Sequence, residues 1–220
     1  MDFLWDIKIL WRLLSGLENT LYISGIAIVF SIVGGFFVGF LMTTKSFIVR
    51  FVCKIYLETI RIIPIIVWLF LVYFGLGGYW EISAFGACII VFSLWGVAES
   101  ADLVRGAITS IPRHQYASAS ALGLSWIKIQ IFIIIPQAIL QLIPSSLNLF
   151  TRMVKTTALV SLIGVNDLFK IAQQIIETGS FEVHDIAFWV YGTIFLIYYF
   201  ICLCLTYFGN LLKRKLDFRN

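Results

Sequence analysis

Two groups of side chains could do proton or ion chemistry in this 220-residue chain. Glu58 and Arg61 stand one helical turn apart and can pair. Glu99, Asp102 and Arg105 follow on neighbouring turns at the end of an apolar stretch. Such a cluster is either a proton relay or a solvated helix end with internal ion pairs, because charge next to apolar surroundings is costly unless paired or wetted. Little else is reactive. The two histidines, His114 and His184, fall in loops, with no HExxH pattern and no paired nucleophile. Cys53, Cys88, Cys202 and Cys204 have neither metal spacing nor a CxxC redox pattern, and they read as small buried hydrophobes. The glycines never form G-x₄-G-K-[ST], so this chain has no phosphate-binding loop of that kind.

The elements that must position these residues are membrane helices. The chain is 60% hydrophobic and 13% charged, against about 45–50% and 25% for a soluble domain. A net charge of +4, scattered along the chain, does not point to nucleic acid. Runs free of Asp, Glu, Lys and Arg cover Leu21–Thr44, Ile62–Trp80, Ile82–Ala98, Ile129–Thr151 and Ile186–Leu212. A span needs roughly 20 mostly apolar residues, so the spacing predicts an all-α integral membrane protein with five transmembrane helices. The termini then lie on opposite sides. With the N-terminus outside, inner segments hold Lys45, Arg50, Lys54, Arg105, Arg113, Lys128, Lys213, Arg214, Lys215 and Arg219. Outer segments hold only Lys8, Arg12, Arg152, Lys155 and Lys170. Retention of basic loops in the cytoplasm therefore favours N-out, C-in, with Trp80 and Trp189 near the outer interface.

Local signals refine this picture. Asp2, Asp6, Lys8 and Arg12 interrupt any signal-peptide core. Leu4, Ile7, Trp11 and Leu14 recur at helical spacing, as a short amphipathic helix on the outer interface or as a ragged lead-in to the first span. Gly35 and Gly39 are spaced for close helix packing. Pro64 interrupts the second span, either as a break lining a pathway or as a kink near its cytoplasmic end. Pro136 and Pro144 bend or break the fourth span. The stretch Lys155–Val165 is apolar with hydroxyls and too short to cross, which suggests a re-entrant or cavity-lining loop. Val165, Leu168, Ile171, Ala172 and Ile175 then mark one face of an outer amphipathic helix.

The inner loop Ile111–Trp126 carries the strongest pattern. Pro112 suits a helix start, Ala117, Ala119 and Ala121 favour helix, and Gly123 suits a left-handed stop. Ser125 can cap the next helix. Its small side chains would let another protein approach the backbone closely.

These residues resemble a family. Ala117-Ser118-Ala119, Gly123, Ile133, Ile135 and Pro136 keep the spacing of the cytoplasmic E-A-A-x₃-G-x₉-I-x-L-P signature of bacterial ABC importer permeases. The signature glutamate is Ala117 here. Gly16–Ser24 is similar to G-L-x-x-T-L-x-I-S, and Tyr56–Arg61 with Pro64 and Leu69–Leu76 is similar to Y-V-E-x-x-R-G-T-P…L-F-L-V-Y-F-G-L, with Ile62-Ile63 in place of Gly-Thr. Ala101-Asp102, Arg105-Gly106, Ser110–Pro112 and Gln115 resemble A-E-x-x-R-G…S-I-P-x-G-Q, and Lys155–Leu168 resembles K-x-T-S-L…I-G-V-x-D-L. By this resemblance the chain is identified as a member of the polar amino-acid branch, the histidine/glutamine/arginine/glutamate permeases.

The resemblance implies one type I importer permease domain over residues 1–220, in the bacterial inner membrane and surrounded by lipid, with residues 112–126 as its coupling-helix loop. It implies that Tyr116, Ala117, Ser118, Ala119, Ala121, Leu122, Gly123 and Leu124 dock on a separate cytoplasmic ATPase dimer. ATP and Mg would be bound there, with no cofactor in this chain. A second permease subunit, identical or homologous, and an extracytoplasmic binding protein complete the implied assembly. The implied substrate pathway runs past Ser24, Ile63, Pro64, Lys155, Thr156, Thr157 and Ser161. Basic amino-acid transporters of the branch tend to carry an acid where this chain has Thr156, so the resemblance favours a neutral or acidic amino acid. The alternative is an ion-coupled secondary transporter, which would want acidic residues in mid-span and often an inverted repeat. The acids here lie mostly at span ends.

Overall fold

The computed structural model describes residues 7–180 and 185–216, so Leu4, His184 and Arg219 lie outside the described residues. Among the described residues, four helices are long and apolar enough to cross a membrane: α1 (Ile7–Leu41), α4 (Ala84–Thr109), α6 (Trp126–Ile163) and α8 (Ile186–Leu216). The fifth candidate is a pair, α2 (Phe47–Ile62) and α3 (Ile65–Trp80), bent by 96° at Pro64. Two shorter helices, α5 (Arg113–Ala121) and α7 (Leu168–Gly179), lie between spans. The bend changes the second span. α3 alone extends about 24 Å, short of a hydrocarbon core of roughly 30 Å, and α2 turns away from it as an amphipathic helix. Pro64 has no N–H to continue α2, and Ile63 before it adopts the extended backbone that a following proline favours.

The N-terminal segment is not a separate interfacial helix. It is continuous with the first span in α1, whose 35 residues reach about 52 Å. The buried face there is Ile9, Leu13, Gly16 and Thr20, whereas Ile7, Trp11 and Leu14 are exposed.

α1 and α4 run parallel and touch through small residues. A Cβ on Gly35 would lie 2.2 Å from Ser100 Cβ, and one on Gly39 would lie 2.5 Å from the Ala101 carbonyl oxygen. A Cβ on Gly96 would lie 1.8 Å from Ser31 Oγ. The expected packing role of Gly35 and Gly39 is thus met, with Gly96 answering from the other helix. Apolar side chains do not drive helices together in lipid, so this close approach and the dispersion it permits hold the pair.

Around that pair a core forms from Ile23 and Ala27 of α1, Leu69 and Val72 of α3, Val91 and Phe92 of α4, and Leu149, Met153 and Val160 of α6. Pro136 and Pro144 do not break α6. A π-helical stretch, Gln130–Ile134, leads into Pro136, and Pro144 is carried inside the continuing helix. Lys155–Val165 is not a re-entrant loop either. α6 runs through Thr156 and tightens to a 3₁₀ end over Thr157–Ile163. Gly164, at φ +85, stops it: the Gly164 amide donates to the Ser161 carbonyl and the Val165 amide to the Val160 carbonyl. Val160 and Val165 are both in the core, which ties the stop to packing.

α7 is fastened to the start of α1. The buried Asp167 carboxylate accepts from the Lys170 amide at 2.9 Å and the Phe169 amide at 3.2 Å, and Thr20 Oγ1 accepts from the Leu168 amide at 3.1 Å. Burial pushes the Asp167 carboxyl up to about 6, against the pull of those amides and the Lys170 charge. The folded chain therefore keeps a proton that an unfolded aspartate, with a pKa of about 3.9, releases. Stability from this group is greatest in acid, declines as pH rises from about 4 to about 6, and stays low above. The full swing is about 3 kcal/mol. We expect the Tm of the purified protein to fall over that window and Asp167→Asn to flatten the dependence. An unchanged slope in the variant would contradict this.

Candidate functional site

α2, α4 and α6 are joined by a ladder of charges. Arg61, near the end of α2, puts Nε 3.2 Å from Glu99 Oε1 and both terminal nitrogens 3.3 Å from Asp102 Oδ2. The contact with Asp102 is hydrogen-bonded; that with Glu99 is an ion pair off hydrogen-bond geometry. Arg105 Nη2 donates to Asp102 Oδ1 at 2.7 Å, one turn along α4. From α6, Arg152 Nη2 donates to Glu99 Oε2, and its guanidinium lies 5.4 Å from the Trp95 ring centroid. The expected Glu58–Arg61 pair does not form: Arg61 turns across to α4, where two carboxylates compensate it instead of one exposed partner. Glu99 and Asp102 are therefore ion-pair members that bind the broken second span to α4 and α6.

Beside the ladder, a cavity of about 540 Å³ opens between the end of α1, α2 and α4. Arg50, Lys54, Glu58, Arg61, Asp102 and Arg105 contribute its charged walls.

α6 is two-faced. Ala138, Leu149, Met153 and Val154 are buried, whereas Gln141, Ser145, Asn148, Arg152 and Lys155 are exposed. These five recur at steps of three and four and so form one polar stripe along a helix long enough to span the membrane. A polar face exposed at membrane depth is tolerated where it meets water or protein. Sequence reasoning missed this stripe because the surrounding run reads as apolar on average; its i, i+4, i+7, i+11, i+14 spacing was the available signal.

The residues expected along a pathway divide into two sets. Ile63 and Pro64 stand at the break between α2 and α3, half-buried and exposed respectively. Lys155 is exposed on the stripe, and the half-buried Thr156 donates its hydroxyl to the Arg152 carbonyl. Ser24, Thr157 and Ser161 are buried. Each donates to its own helix, Ser24 to Thr20, Thr157 to Val154 and Ser161 to Ala158. Leu69 and Val160 belong to the same core cluster, and α3 packs against the 3₁₀ end of α6.

The inner loop folds as its sequence suggests, one residue inside the anticipated start. Pro112 is the N-cap of α5, and Gly123 stops the helix at φ +79. The Leu124 amide donates to the Ala119 carbonyl at 3.2 Å and the Gly123 amide to the Ser120 carbonyl at 2.9 Å, the paired bonds of a left-handed helix stop. Ala119 is buried, with Tyr116 and Leu124 packed on the same cluster. Ala117, Ser118, Ala121 and Leu122 face outward, Leu122 at 81% exposure. Ser125 sits at the N-cap position of α6 without a side-chain cap bond. α5 is thus anchored on one side and bare on the other.

Residues 23–219 match the family of binding-protein-dependent transport system inner membrane components. The chain belongs to this family. It is 33% identical over 203 residues to the probable amino-acid ABC transporter permease protein YckA of Bacillus subtilis, covering 92% of this chain and 88% of that one. It is 37% identical over 181 residues to the arginine ABC transporter permease protein ArtQ of Haemophilus influenzae, covering 77% and 78%. A crystal structure of an amino acid ABC transporter with histidines superposes with a TM-score of 0.86 at 30% identity, covering 98% of this chain and 99% of that one. This permease is therefore a multi-pass inner-membrane component of an amino-acid ABC importer, a transport subunit and not an enzyme.

Proposed function

We propose that this permease forms part of the pathway of an ATP-driven amino-acid importer, with its N-terminus outside and its C-terminus in the cytoplasm. The carrying observation is the polar stripe on α6, which lies with the α2–α3 break and the charge ladder on α2, α4 and α6. Ile63, Pro64, Lys155 and Thr156 border that surface. Ser24, Thr157 and Ser161 are buried away from it, each bonded within its own helix. α5 presents Ala117, Ser118, Ala121 and Leu122 to a groove of a cytoplasmic ATPase dimer, which binds ATP and Mg. A second permease subunit covers the opposite side of the pathway, and an extracytoplasmic binding protein delivers substrate. Orientation rests on the basic residues of the inner segments.

The substrate is a neutral or acidic amino acid such as glutamine, glutamate or aspartate. The border of the pathway carries Lys155, Arg152 and the hydroxyl of Thr156, and the nearest carboxylates, Glu99 and Asp102, are already bound to arginines. A cationic side chain there would be desolvated without a partner. Competition for uptake of labelled glutamine and glutamate in cells carrying the complete system tests this. We expect inhibition by unlabelled glutamine, glutamate or aspartate. Strong inhibition by arginine or lysine alone would overturn the assignment.

A further inference from the structure

The polar face of α6 carries positive charge that its neighbours do not cancel. Among the described residues, Arg61, Arg105 and Arg152 of the ladder meet only Glu99 and Asp102. Arg152 engages Glu99 through Nη2 alone, and its side chain keeps 54% exposure. One turn further, Lys155 is exposed and makes neither an ion pair nor a hydrogen bond among the described residues. One turn back, Asn148 is exposed and its amide makes no hydrogen bond among them. The three lie on one face at steps of four and three. We infer that Asn148, Arg152 and Lys155 form a carboxylate subsite that holds the α-carboxylate of the amino acid in transit. An arginine fork offers parallel donors to a carboxylate, Lys155 adds a point charge, and the Asn148 amide adds a neutral donor. A site in a pathway must also release its ligand. Glu99 supplies the means, because it shares the Arg152 guanidinium and competes with the visiting carboxylate for it.

The inference rests on α6 lining the pathway, and the test separates the two. Ser145→Cys places a thiol one turn from Asn148 on the same stripe. It is made with Cys204→Ser, which removes the exposed native thiol, in the complete transporter reconstituted in proteoliposomes. The probes are the anionic sulfonatoethyl and the cationic trimethylammonioethyl methanethiosulfonates, both of which need water to reach a thiol. We expect reaction with both, and an anion-to-cation rate ratio about twofold above that of free cysteine at low ionic strength, the combined attraction and repulsion by the Lys155 charge about 15 Å along the helix in a water-like medium. Lys155→Gln, which strands no partner, should return most of that excess; Arg152→Lys, which keeps the charge, should preserve it. A thiol that reacts at the free-cysteine ratio, unchanged by Lys155→Gln, would overturn the subsite and leave the pathway standing. A thiol closed to both probes would overturn both.

Discussion

Replacing Gly123 with valine should leave the permease inserted and assembled but abolish most of the ATPase stimulation that the loaded binding protein produces. The reason is conformational alone. Gly123 holds φ at +79, and a Cβ there would meet nothing within 4 Å, so no clash adds to the effect. A non-glycine residue in the left-handed region costs roughly 1–2 kcal/mol, and a β-branched one is a stronger outlier. That is enough to break the two bonds that turn the chain from α5 into α6 and to release Ala119 and Leu124 from their shared cluster. Leu122 and the outward alanines would then lose their fixed aim. A graded series sharpens the test: Gly123→Asn should retain most coupling, since asparagine tolerates this region, Gly123→Ala less, and Gly123→Val least. Full stimulation in the valine variant would show that the turn does not transmit ATPase closure.

The second large effect is expected at Glu99. Glu99→Gln keeps the shape of the side chain but withdraws the carboxylate that joins α2 to α6 through α4. Arg61 retains Asp102, whereas Arg152 loses its one ion pair. Stranding a fully buried charge costs about 3–5 kcal/mol, and an exposed pair contributes only about 0–1. Glu99 is mostly buried and Arg152 about half exposed, so we expect a loss of about 1–3 kcal/mol and a drop in Tm of several degrees. Substrate uptake should fall at least tenfold, because α6 and its polar face no longer have a fixed position on α4. The double variant Glu99→Gln/Arg152→Gln should recover part of the lost stability, and the coupling energy of the cycle isolates the pair. A coupling energy indistinguishable from zero would mean that the ladder does not tie these helices.

Legibility differed by physical cause. Features dictated by backbone constraint could be read in advance: Gly123 as a left-handed stop, Pro112 at the start of α5, Pro64 as the break, and Gly35 with Gly39 as a contact stripe. Four of the five apolar runs located helices long enough to span, because length and hydropathy are summed along the chain; the fifth, Ile62–Trp80, located only the apolar arm of the pair bent at Pro64. Direction within a helix was harder. Ser24, Thr157 and Ser161 carry hydroxyls that suit either a watery pathway or a donation to their own backbone, and in an apolar interior the second needs no partner from another element. Arg61 could reach Glu58 locally or two acids on α4; the tertiary option compensates its charge better. Arg152 and Lys155 looked like loop cations because the charge-free run ends at Thr151. α6 in fact continues through them, and its polar face emerges only when the residues are sorted by angle around the helix. The N-terminal segment joined α1 although Ser15, Gly16, Asn19 and Thr20 separate Leu14 from Leu21: Ser15 donates back to the Arg12 carbonyl, and Gly16 sits against Asp167 and Leu168 inside the continuous helix.

The central reading is an importer driven by ATP and fed by a binding protein. The direct measurement is uptake of labelled glutamine and glutamate into proteoliposomes that contain this permease with its ATPase, in the presence of binding protein, comparing enclosed ATP with an imposed proton or sodium gradient. We expect uptake with ATP and binding protein and none with either gradient alone. Gradient-driven uptake that needs neither ATP nor binding protein would contradict it.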